Sequence, residues 1–77
     1  MAHYFFHLQN RTKTLRDSEG VELMSLDEIR EEAMQSAREI MSEQVLKGKA
    51  PNHCGFIIED DNGKTVLTFP FKLALQE

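Results

Sequence analysis

Tryptophan is absent from the sequence, cysteine occurs once and proline twice, and no apolar run approaches the length of a membrane span. With Cys54 alone, no internal disulfide can staple the fold. An unpaired thiol fits a reducing compartment, which predicts a cytoplasmic protein. A bilayer-spanning helix needs about 20 consecutive apolar residues, so no membrane partner is expected, and the first residues lack the basic-then-apolar order of a secretory signal. Cations are scarce as well. Nine Lys and Arg stand against thirteen Asp and Glu, a net charge of −4, which opposes the basic surface that nucleic-acid binding relies on. Arg11, Lys13 and Arg16 do cluster, but they form a thin electrostatic footprint and read as solvated hairpin charges.

Motifs that carry chemistry are missing too. There is no Gly-rich phosphate loop, no GxSxG elbow and no HExxH helix. No catalytic residue, cofactor or metal is therefore assigned, and a non-enzymatic protein is expected. A chain of 77 residues holds a single domain, 1–77, without room for a second core. One this short buries about 60% of the surface its unfolded form exposes.

What is present is patterned. "HYFFHLQ" alternates with period two, placing Tyr4, Phe6 and Leu8 on one face and His3, Phe5, His7 and Gln9 on the other. "NRTK" supplies turn chemistry, and "TLRDSEGVEL" reads as a returning strand interrupted near Gly20, giving a hairpin over about 3–23. Ser25 followed by Glu28 forms a capping box, with Met24 and Ile29 at the spacing of a hydrophobic staple. Leu26, Ile29, Ala33, Ala37, Ile40 and Met41 then fall on one helical stripe, with Met34 and Val45 widening its edge. Lys47 and Lys49 suit the negative end of the dipole, Gly48 suits a left-handed cap, and Pro51 blocks continuation. A helix over about 26–47 follows. "CGFIIEDDNGKTVLTFPF" reads as a second hairpin, about 54–71, with Leu67, Phe69 and Phe71 sharing a face and Pro70 marking an edge or an end. The tail 72–77 suits either a strand extension or a short helix.

The order β-β-α-β-β predicts an α+β two-layer sandwich, one long helix on a four-stranded, mainly antiparallel sheet, with strand order 2-1-3-4. One helix about 10 Å wide covers one face of such a sheet. That face takes Tyr4, Phe6, Leu8, Phe56, Ile58, Leu67 and Phe69. The far face keeps His3, Phe5, His7, Ile57 and Val66, more apolar surface than water favours, while the last helical turn, with Val45 and Leu46, overhangs the shorter strands. These seven residues form the expected interface, with a second copy of the chain or another protein as partner.

The histidines invite a metal reading, which geometry opposes. Residues four apart in a strand lie about 13 Å apart, against zinc–nitrogen bonds of about 2 Å. His3 and His7 are instead expected to be half-exposed strand residues. Neighbours in a strand point to opposite faces, so His53 and Cys54 do not form a thiolate–imidazole pair. Asp17, Glu19 and Glu22 could supply an acid/base pair or bind a cation, but turn chemistry explains them better. Phe5 is the strong candidate for an exposed base-stacking ring, though it lacks basic surroundings.

Together, "YFFHL", "RDSEGVEL", "LDEIREEAMQSAREIMSE" and "DDNGKTVLTFPF" resemble a family of short bacterial proteins grouped as a domain of unknown function, from about Tyr4 to Phe71. The resemblance implies the same fold and carries no activity, cofactor or site residue; "DDNG" departs from the family's more usual acidic–Asp–Gly turn. A fainter similarity, in the "D-x-E-G … EA" rhythm, is to antitoxins of the HicB type. It implies an alternative reading as an antitoxin-like or nucleic-acid-associated regulator, in which Arg11, Lys13 and Arg16 would contact phosphates.

Overall fold

The alternation at the N-terminus forms the longest strand, β1 (Ala2–Gln9), in a computed structural model that describes residues 2–48 and 54–75. It is followed by β2 (Thr14–Leu15), β3 (Val21–Leu23), α1 (Leu26–Leu46), β4 (Gly55–Asp60), β5 (Thr65–Pro70) and a 3₁₀ turn over Phe71–Leu75. The fold is α+β, with one long helix and an antiparallel sheet. Its strands run β2-β1-β4-β5, with β3 also paired to β1. The expected strand order holds, with one change: the second strand is broken, so the sheet has five strands rather than four.

Register gives the cause of the break. Leu8 pairs with Leu15 and Tyr4 with Val21. Between those pairs, three residues of β1 (5–7) face five residues of the connector (16–20), so a continuous ladder cannot form. The surplus is taken up by Gly20 at φ +72°, a left-handed conformation that a Cβ would strain.

Helix α1 starts where the capping signal places it. The Glu28 N–H donates to Ser25 Oγ at 3.2 Å, and Glu28 Oε1 accepts from the Met24 N–H at 2.7 Å. The staple does not close, since Met24 is 72% exposed while Ile29 is buried. Ile29, Ala33, Ala37 and Met41, at successive steps of four, line the face turned to the sheet. The two alanines let the backbone approach the rings of Phe56, Phe69 and Phe71, all in the same buried cluster. Tyr4, Phe6, Leu8 and Leu67 pack against that cluster, as the alternation requires. Leu26, expected on the buried stripe, is exposed at the helix start, while Val45, at the stripe's edge and expected to overhang the strands, is exposed at the helix end. Gly48 takes the left-handed cap at φ +77°. Lys49, Pro51 and His53 lie outside the described residues.

Through Leu75, the tail forms a 3₁₀ turn that closes the core. The Phe71 N–H donates to the Cys54 carbonyl at 3.0 Å, one step beyond the last β4–β5 pair. Phe71 and Ala74 then turn inward onto α1's side. Phe71 and Ile58 are the largest fully buried side chains, and complete burial of such groups contributes about 1.5–3 kcal/mol each. The β4–β5 turn is held by Asp60, whose Oδ1 accepts from the Asn62 and Lys64 N–H groups, both at 2.9 Å.

Candidate functional site

The sheet face turned away from α1 carries the polar groups that β1, β4 and the 16–20 connector bring together. His7, paired across the sheet with Ile57, is 4% exposed. This corrects the expectation of a half-exposed side chain, and the cause is the connector, which folds onto the ring. His3 and Ile57 remain half-buried. Phe5 lies between the two histidines, its ring centroid 5.1 Å from His3 and 6.4 Å from His7, the latter pair nearly parallel at 7°. Val66, expected on this face, sits at the register shift in β5 and packs against the buried cluster instead. The extra residue of a bulge breaks the period-two alternation there.

Both nitrogens of His7 are occupied. The Asp17 backbone N–H donates to Nδ1 at 3.0 Å, and Nε2 lies 3.0 Å from Glu59 Oε1. A backbone N–H can only donate, so Nδ1 holds a lone pair and the ring proton sits on Nε2, directed at Glu59. Arg16 Nη2 reaches the same Glu59 oxygen at 3.5 Å. The Asp17 carboxylate meanwhile plugs the gap between β2 and β3. Its Oδ2 accepts from the Phe6 N–H and its Oδ1 from the Glu19 and Gly20 N–H groups, each at 3.1 Å. Burial alone would raise this carboxyl. The donors of Gly20, Phe6 and Glu19 outweigh that effect, His7 adds in the same direction, and the group is held below the ordinary carboxylate range.

This constellation was half legible. Turn chemistry for Asp17 is what the "DSEG" spacing indicates, and the structure agrees. Alternation alone does not single out Glu59; the signal for it is a carboxylate set on the open face near Ile57. A shallow depression of about 240 Å³ adjoins the network, lined among others by Phe5, Arg16, Asp60 and Asp61. Among the described residues, no group of three or more His, Cys, Asp or Glu side chains is placed to hold a metal ion. Cys54 is half-buried beside Gln44, its Sγ 3.8 Å from the amide nitrogen. Val45 and Leu46, 62% and 85% exposed, belong to the helix layer, so the structure does not join them to Phe5 and Ile57 in one surface. Arg11, Lys13 and Arg16 are all exposed, the first two in the β1–β2 turn. Among the described residues, no helix is long and apolar enough to cross a membrane.

Fold and site together define a small α+β domain with an open sheet face and a histidine-anchored edge. The chain belongs to the family described as a domain of unknown function, DUF6894, whose model matches residues 3–72. No curated protein and no solved structure matches it.

Proposed function

We propose that the chain is a non-enzymatic interaction module that docks through its open sheet face onto a second copy of itself. The observation that carries this reading is the character of that face. Phe5 and Ile57 lie on it with no described helix above them, while the polar groups around them already satisfy one another. A general base needs a free lone pair within reach of a substrate, and both nitrogens of His7 are taken. The face is also self-complementary in charge. Arg16, with a side chain 69% exposed, borders the same depression as Asp60 and Asp61. A twofold axis through that depression would bring Arg16 of one copy toward the acidic residues of the other, as an isologous contact allows.

Pairing through the sheet edge is the weaker route to a dimer. The Phe71 N–H points toward β4, so alternation turns Pro70 and Thr68 outward on β5. Pro70 has no N–H to give, and symmetric pairing about Thr68 would bring the exposed Lys64 and Lys72 ends together. We place the protein in a reducing bacterial cytoplasm, supported by the lone Cys54 thiol and the resemblance to short bacterial proteins. An antitoxin-like, nucleic-acid-associated role would rest on Arg11, Lys13 and Arg16, in a chain of net charge −4.

Sedimentation equilibrium at micromolar concentration tests the proposal. The wild type is expected to be a dimer and Phe5→Glu a folded monomer. Arg16→Glu should weaken the dimer, and adding Asp61→Lys should restore it. A wild type that stays monomeric throughout overturns the reading.

A further inference from the structure

Two histidines hold the 16–20 connector, and they do so with opposite chemistry. His7 accepts from it: the Asp17 N–H donates to Nδ1 at 3.0 Å. His3 donates to it: the Glu19 carbonyl, which can only accept, lies 2.7 Å from His3 Nε2, so that nitrogen carries the proton. A second proton on His3 goes to Nδ1 and leaves its bond to the connector intact. A second proton on His7 has one place to go, the nitrogen already facing the Asp17 N–H.

We infer that His7 is a protonation latch: neutral, it clamps the connector against β1, and protonated at Nδ1, it sets two donors against each other and releases the connector. The consequences extend beyond one bond. The Asp17 amide that must withdraw belongs to the residue whose carboxylate holds the Phe6, Glu19 and Gly20 N–H groups. Moving it unpicks the plug between β2 and β3 and exposes the edge of β1 there. The ring is buried, so it cannot trade the lost partner for water without the connector shifting.

Charges of both signs surround the ring. Glu59 on β4 and the Asp17 carboxylate on the connector are the anions beside the ring, and Asp60 and Asp61 line the same depression. Arg16, whose Nη2 is 3.4 Å from His7 Nε2, is the cation beside it, and His3 lies across the Phe5 ring. The backbone donor of Asp17 is what makes a proton at Nδ1 disruptive. The latch needs no second copy, but the connector it releases carries Arg16, so release would also move the charge that the docking proposal uses.

Heteronuclear NMR of the full chain tests it. Long-range nitrogen correlations are expected to show His7 as the Nε2–H tautomer. As the His7 ring titrates, hydrogen-exchange protection of the Phe6, Asp17, Glu19 and Gly20 amides should fall about tenfold, the factor that loss of one buried hydrogen bond implies. His7→Gln keeps an acceptor and a donor but cannot titrate, so its connector should stay protected over the same range. His3→Gln should leave the wild-type response in place. A Nδ1–H tautomer, a His7 titration that leaves connector protection unchanged, or the same loss of protection in His7→Gln would each overturn the latch. If His7→Gln does not fold, the tautomer and the wild-type titration still decide.

Discussion

The Phe6 N–H donates to the Asp17 carboxylate across the gap between β2 and β3, where that side of β1 has no strand beside it. A side chain there replaces a missing stretch of ladder, and the same carboxylate closes its own turn through Glu19 and Gly20. Hydrogen bonds to a charged group contribute about 1.5–3 kcal/mol each, not additively. Asp17→Ala should therefore lower unfolding free energy by about 2–3 kcal/mol in urea titrations. A cost below about 0.5 kcal/mol would place Asp17 among ordinary surface residues.

Acid should remove the same contribution from the wild type. The Asp17 carboxyl is held below its ordinary value, so, with the connector in place, its stabilisation is complete above about pH 4, the unfolded range, and fades as pH falls through the depressed folded value. In a His7→Gln background, where protonation cannot release the connector, the stability gap opened by Asp17→Asn should be constant near neutrality and narrow below about pH 4. Paired urea titrations across that range measure it, and the comparison cancels changes both proteins share.

Gly20 and Gly63 separate backbone strain from steric contact. Both have positive φ, +72° and +81°. A Cβ on Gly63 would meet nothing within 4 Å, whereas one on Gly20 would lie 2.6 Å from the His3 ring and 2.8 Å from the Tyr4 carbonyl. Gly63→Ala should cost about 1–2 kcal/mol, the left-handed penalty alone. Gly20→Ala should cost clearly more and shift the His3 ring resonances. Equal costs would mean that the ring moves aside freely.

Ala37 sets how closely α1 lies on the sheet. It is fully buried in the cluster that holds Phe56 and Phe69. Ala37→Leu should destabilise the fold by about 1–3 kcal/mol through overpacking. The exposed Leu46→Ala should stay within about 0.5 kcal/mol in the free chain. Thermal or urea unfolding of both variants checks the contrast.

Local pattern alone established much of this protein. Period-two alternation fixed which residues of β1 and β4 face the helix, the capping box fixed where α1 begins, and the "DDNG" turn fixed the second hairpin, because each depends on neighbours within a few residues. Tertiary structure decided what depends on register between distant segments. It broke the second strand, because five connector residues meet three of β1. It sent Val66 to the core side through a bulge. It also buried His7, since Asp17 and Glu59, ten and fifty-two residues away along the chain, meet on its two nitrogens.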